Sequence, residues 1–419
     1  MGARHYLDHA ATTAVRPEVA ARYAEELTRL GNPSSLHTAG REARRRLEEA
    51  REQLAAALGA RPGEVVFTSG GTEADNLAVK GAWWARREDR DALAVSAVEH
   101  HAVLEAAAWL AAHEGAQVDR LPVGADGVLD LGAAENLLAR RAGRVALVSV
   151  MWANNETGVL QPVPEVVELA RRHGAAVHTD AVQAVGHVPV DFAPGGPDAL
   201  TLSGHKLGAP VGTGALLARR ELALVPVEHG GGQERGVRSG TIAVAGARAL
   251  ALAVELAVAE VADEGRRLRA LRDRLTTGVL AAVPGARLTG PPPGPGPDPR
   301  LPGTVHLTVD GADADALLLG LDLAGVAASS GSACQAGVQE ASHVLLAMGR
   351  DEDTARSALR LSLGRTSTDA DVDAVLAALP AVVDGARRAH EVRTRRRGAA
   401  AARVAAGSPA APRPDRAAR

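Results

Sequence analysis

The 419-residue chain has one cysteine, Cys334, two lysines, Lys80 and Lys206, and aromatic side chains at 2% of its residues. A single cysteine excludes an intrachain disulfide and a cysteine-rich metal site, and it fits a reducing compartment. With so few aromatics, the core must rest on Ala, Val and Leu. Long apolar runs are missing too. No stretch approaches the roughly 20 residues of a membrane span, and nothing signal-like precedes Asp8 and His9. Net charge is −3, from 47 basic and 50 acidic residues, so there is no general drive toward nucleic acid or acidic lipid. These absences lead us to expect a cytoplasmic protein with no membrane association, no metal and no direct nucleic-acid binding. The length favours two domains.

From about residue 41 the pattern alternates helix and strand. Ala43, Leu47, Ala50, Leu54 and Leu58 share a helical face that Gly59 ends. Strands are predicted at 64–68, 93–98, 145–150, 175–179, 199–203 and 214–218, with helices at 72–87, 102–112 and 163–173. That alternation argues for a mainly parallel sheet with helices on both faces and a ligand crevice beyond the strands' carboxyl ends. A long helix over about 251–275 then leads toward a second domain. Further elements are a Pro/Gly-rich loop at 291–302, a strand at 304–309, a helix from about 312, a strand near 357–363 and a last helix near 370–389. The basic, Ala-rich tail from about Arg393 has no apolar period and is expected to be disordered.

Chemistry-bearing residues gather at the predicted strand ends. Ser69-Gly70-Gly71-Thr72-Glu73-Ala74-Asp75 joins a strand to a helix. It suits a phosphate cradle or a plain turn, with Thr72 and Asp75 in capping-box positions. His100 and His101 end another strand, where either could stack on a flat ring or move a proton, or simply be exposed. Asn154-Asn155-Glu156-Thr157-Gly158 presents paired amides, or a turn. Asp180 ends an apolar strand, where its carboxylate could hold a protonated ring nitrogen or cap a helix; Gln183 follows it. Lys206, after Ser203-Gly204-His205, is a candidate amine nucleophile if desolvated, otherwise a surface lysine. Ser329-Ser330-Gly331-Ser332-Ala333-Cys334 is a run of small residues ending in a thiol, either reactive or incidental. The first five sets should converge, and together they meet the needs of pyridoxal phosphate.

These stretches resemble the cysteine desulfurases of the class-V aminotransferase group, iron–sulfur-cluster type. The resemblance runs from Tyr6-Leu-Asp-His-Ala-Ala-Thr-Thr13 to about Thr368. It also includes Gly31-Asn-Pro-Ser-Ser35, Thr68 to Leu77, His229-Gly-Gly-Gly-Gln-Glu-Arg-Gly236 and Arg238-Ser-Gly-Thr241. It implies the pyridoxal-phosphate-dependent transferase fold of fold type I: a seven-stranded, mainly parallel α/β sheet domain plus a smaller α+β domain. The expected boundaries are 15–260 for the large domain, 1–14 with 261–390 for the small one, and 391–419 for the tail.

The resemblance also implies roles. Lys206 would hold the cofactor covalently, and His100 would stack on its ring. Asp180 would bind the pyridine nitrogen, and Asn155 and Gln183 would face the ring hydroxyl. Gly71, Thr72, Ser203 and His205 would surround the phosphate, with Thr241 donated by the second subunit of a homodimer. Asn155 and Arg360 would bind substrate, Arg360 clamping its carboxylate. Cys334 would accept sulfur. L-cysteine would become alanine, and the sulfur would pass as a persulfide from Cys334 to an acceptor protein, an iron–sulfur scaffold or a tRNA thiolase. The alternatives are a selenocysteine lyase or other class-V enzyme, and a non-catalytic scaffold. Gln335-Ala336-Gly337 departs from the Thr or Ser that commonly follows the family's active cysteine. The Pro-rich stretch and the tail are additions.

Overall fold

The computed structural model describes residues 4–291, 297–331 and 341–406, the last thirteen of these by their backbone alone. The central sheet comprises β1 (Val65–Thr68), β2 (Ala92–Ser96), β3 (Gln117–Leu121), β4 (Val145–Ser149), β5 (Ala176–Asp180), β6 (Ala199–Ser203) and β7 (Gly214–Ala218). Their order is β1-β7-β6-β5-β4-β2-β3. Only β7 runs against its neighbours. Every strand but β3 is buried along its whole length, which is why short Val/Ala/Leu runs suffice to specify them. β3 (QVDRL) is an edge strand, and its polar, half-exposed residues hid it from the sequence reading.

Helices cover both faces. They are α1 (Pro17–Leu27), α2 (Thr38–Ala57), α3 (Gly71–Arg86), α4 (His101–Glu114), α5 (Leu131–Arg140) and α6 (Val163–Arg172). The long α7 (Val244–Ala282) serves two cores. Its first half packs Leu250, Val254 and Ala257 beside Leu54, Leu58 and Phe192, under the large sheet. Its second half packs Leu268, Leu271, Leu275 and Val279 against an antiparallel three-stranded sheet of Ala286–Leu288, Thr304–Val309 and Ala358–Ser362. That second core also takes in α8 (Ala314–Leu323) and α9 (Asp369–Ala406). Leu7 belongs to it as well, because His5–Tyr6 pairs in parallel with Val326–Ala327.

α9 continues to Ala406, past Arg393, where the sequence reading expected order to end. Ala and Arg are strong helix formers, so a helix can persist there without an apolar face. No helix among the described residues is long and apolar enough to cross a membrane.

Candidate active site

The carboxyl ends of β1, β2, β4, β5 and β6 open into one cavity of about 380 Å³. Ten of the predicted residues line it: Gly71, Thr72, His100, Asn155, Asp180, Gln183, Ser203, His205, Lys206 and Arg360. The first nine come from the large sheet's strand ends. Arg360 comes from the small sheet. Thr241 is exposed and lies outside this cavity. Cys334 lies outside the described residues.

Sheet register builds the anion-binding end. Gly214 pairs with both Thr68 and Ser203, so the turn after β1 and the end of β6 lie side by side. A Cβ on Gly214 would stand 2.6 Å from Gly70 Cα, so only glycine allows this approach. The capping-box expectation is corrected here. Gly70, not Thr72, is the N-cap of α3, and no side chain caps it. Glu73 instead accepts the Ser69 N–H at 2.7 Å, while Asp75 is buried, 3.5 Å from His178. The first turn of α3 therefore presents its N–H groups to the cavity beside Thr72, Ser203 and His205, as a bound phosphate requires. A Cβ on Gly71 would crowd Val182 at 3.0 Å, so the backbone itself forms this wall.

The floor is acidic. Asp180 is buried at the end of β5, and its Oδ1 accepts the Val182 N–H at 2.9 Å. Burial pushes its carboxyl up, opposed by that bond and by the Lys206 charge. Two further buried carboxyls lie nearby. Asp75 is raised well above the usual range by burial and by Asp180. Glu99 is raised to about 8 by burial and by Asp180. A cationic ring nitrogen against Asp180 would relieve this crowding.

The basic groups are shifted toward their neutral forms. Lys206 Nζ donates to the carbonyls of Ala10 and Ala11 at 2.5 and 2.7 Å. Burial and the Arg360 charge lower it to about 8, which makes a neutral amine accessible near physiological pH. Burial, His101 and Lys206 lower His100 to about 4. Its Nδ1 accepts the Ala102 N–H at 3.1 Å, so the neutral ring carries its proton on Nε2. His205 is also lowered to about 4, by burial and Lys206, and its Nδ1 lies 3.2 Å from Thr12 Oγ1. Gln183 donates to the Ala10 carbonyl at 2.9 Å, so it and Lys206 together hold the N-terminal segment over the cavity.

Arg360 is 4% exposed. Its Nη1 donates to the Asn155 carbonyl at 2.7 Å and its Nη2 to Asp8 Oδ1 at 2.8 Å, while its buried Nε has no partner among the described residues. A fixed guanidinium with a donor to spare suits a carboxylate ligand.

Sequence reasoning did not single out Asp8 or His343. Asp8 sat within the matched Tyr6–Thr13 stretch, but nothing local tied it to Arg360. His343 lines the cavity with its ring 4.8 Å from that of His101, and no pattern in the sequence announces it.

Residues 5–375 match the family model described as aminotransferase class-V. The chain is similar to an IscS-like cysteine desulfurase of Mycobacterium tuberculosis, at 53% identity over 388 residues, covering 92% of this chain and 97% of that protein. It is 42% identical to a cysteine desulfurase IscS of Methanosarcina thermophila, covering 91% of this chain and 92% of the other. Among solved structures, a NifS-like protein superposes with a TM-score of 0.83 at 33% identity, covering 91% of this chain and 99% of that one.

Proposed function

The chain belongs to the class-V aminotransferase family as an IscS-like cysteine desulfurase that uses pyridoxal phosphate, and on that premise we propose which of its residues do the work. The observation that carries the assignment is the convergence, in one cavity, of an uncapped helix start, a buried carboxylate, a desolvated lysine and a pinned arginine.

When bound, the cofactor supplies an aldehyde that links to amines and a ring that accepts an electron pair. The α3 N-terminus with Gly71, Thr72, Ser203 and His205 holds its phosphate, and Thr241 of a second subunit completes that end in a homodimer. Asp180 keeps a proton on the ring nitrogen. His100 would hold the ring, and Asn155 and Gln183 would serve its hydroxyl. Lys206 would hold the cofactor, and its amine would be the base that takes the proton from Cα of cysteine. Arg360 holds the substrate carboxylate, with Asn155 beside it.

The Cys334 thiolate then attacks the substrate sulfur. An S–S bond forms, the Cβ–S bond breaks, and its electron pair stays with the carbon skeleton, which is released as alanine after protonation. A free thiol titrates at about 8.5, so the site must raise its thiolate share; His100, neutral with its proton on Nε2, would serve as a proton donor to the substrate rather than as that base. We further read residues 15–260 as the large domain and 1–14 with 261–390 as the small one. The setting is cytoplasmic, and the final acceptor is a protein of iron–sulfur assembly or tRNA thiolation.

The test is an absorption spectrum of the holoenzyme before and after L-cysteine, with alanine and the Cys334 persulfide assayed together. The expected result is a cysteine-dependent band shift, alanine, and persulfide at Cys334. Cys334→Ala should keep the colour and lose sulfur transfer. Full turnover of that variant without added thiol would overturn the assignment.

A further inference from the structure

The roles assigned above leave the buried carboxylate of Glu156 without a task. Glu156 is 2% exposed. Its turn is rigid, because Asn154 Oδ1 accepts the N–H groups of Glu156 and Thr157 at 3.0 and 2.9 Å. On one side the Glu156 side chain lies against Gly331. A Cβ there would stand 3.1 Å from Glu156 Cβ and 3.2 Å from its Cγ, and Gly331 has φ +89°. On the other side the Glu156 carboxylate accepts the hydroxyl of Ser342. Ser342 in turn caps the short helix His343–Ala347 by accepting the Leu345 N–H at 3.2 Å. Gly331 and Ser342 stand on either side of the stretch that contains Cys334. Two residues before Gly331, Ser329 exchanges backbone hydrogen bonds with Arg360 at 3.1 and 2.6 Å.

We propose that Glu156 is a positioning residue for sulfur transfer, a single side chain that fixes both flanks of the cysteine-bearing segment relative to Arg360. The proposal rests on Cys334 being the sulfur acceptor. A rigid turn touching both flanks sets their separation and their place beside the substrate clamp. Chemistry between two sulfur atoms is sensitive to such placement, since about 1 Å of misplacement can cost roughly a hundredfold in rate. Burial raises the Glu156 carboxyl, while the Ser342 hydroxyl and the Arg360 charge oppose that shift, so the bond to Ser342 also helps to keep this carboxylate buried.

The experiment uses the holoenzyme as wild type, S342A, E156A, E156Q and the double variant S342A/E156A. Two signals are followed in a single turnover: the cysteine-induced absorption change, and persulfide at Cys334 by mass spectrometry. S342A and E156A should retain the absorption change and form persulfide roughly 10- to 100-fold more slowly. The double variant should be no slower than the worse single one, because both remove the same bond. E156Q, which can still accept from Ser342, should recover most of the rate. Wild-type persulfide rates in both single variants would overturn the proposal, and so would additive effects. An E156Q as slow as E156A would also overturn it, by making charge rather than placement the operative property. A wild type that makes alanine but no persulfide at Cys334 would instead sink the acceptor assignment beneath it.

Discussion

Arg360 and Asp8, 352 positions apart in sequence, form an ion pair of 2.8 Å at the rim of the cavity. The small sheet supplies one partner and the N-terminal segment the other, so the proposed substrate clamp forms only when both segments are in place. Replacing Arg360 by Ala removes a charge-assisted contact of about 1.5–3 kcal/mol. We expect KM for L-cysteine to rise roughly 10- to 100-fold while cofactor absorbance is retained. Steady-state kinetics with a parallel spectrum checks this, and an unchanged KM contradicts the clamp.

Lys206 should set the pH dependence of cofactor loading. Its lowered value of about 8 reflects burial first and the Arg360 charge second. The neutral amine is the nucleophile, so loading of cofactor-free protein should accelerate about tenfold from pH 7 to 9 and then level off. Stopped-flow absorbance would follow it. A rate still climbing steeply at pH 10 would mean that Lys206 titrates as an ordinary lysine. Lys206→Ala should bind cofactor only loosely and make alanine at least about 10³-fold more slowly.

Glu99 should make the cofactor-free protein less stable as pH rises. Burial and Asp180 raise its folded value to about 8, against an ordinary value of about 4.3. Its stabilising contribution is therefore complete below about pH 4 and lost as pH climbs toward 8. Asp75 and Asp180, both raised by burial, act in the same sense. The buried His178 and His306, lowered to about 3, act oppositely, but only below about pH 6.5. Between pH 6.5 and 8 the Tm of the cofactor-free protein should fall, and Glu99→Gln should flatten the fall by about 1–3 °C. Parallel melting curves in the wild type and the variant would refute this.

Gly214→Ala should damage the anion-binding end. The added Cβ meets Gly70 backbone atoms at 2.6 to 2.9 Å, with no flexible side chain to yield. A cost of about 1–3 kcal/mol is expected, together with weaker cofactor binding by fluorescence titration. Unchanged affinity would mean that the turn after β1 does not form the phosphate wall.

Much of this protein was legible in its sequence. Buried strands declare themselves by unbroken Val/Ala/Leu runs, and alternation with helices gives a mostly parallel sheet. From that, a crevice at the carboxyl ends follows by geometry, which is why Thr72, Asp180 and Lys206, with His100 and His101 both still open, could be placed at the cavity in advance, while the choice of His100 came from the family resemblance. Local pattern misled where two structures fit the same letters. Thr72 and Asp75 have capping-box spacing, yet Glu73 takes the Ser69 N–H and Asp75 turns toward His178. Tertiary contacts override a local preference of about 1 kcal/mol. The edge strand β3 was missed because its residues are polar and half-exposed, and the helical run to Ala406 because its Ala- and Arg-rich letters show no apolar period.

The sequence by itself determined which side chains stand at the strand ends, because that depends on local periodicity and on the handedness of strand–helix–strand connections. Only the tertiary structure decided how those side chains behave. Lys206 is softened by burial and by Arg360, Glu99 and Asp75 are driven up by sharing a dry floor with Asp180, and Asp8 is matched to Arg360 across nearly the whole chain. Charge interactions and desolvation depend on distance in space, which spacing along the chain does not encode.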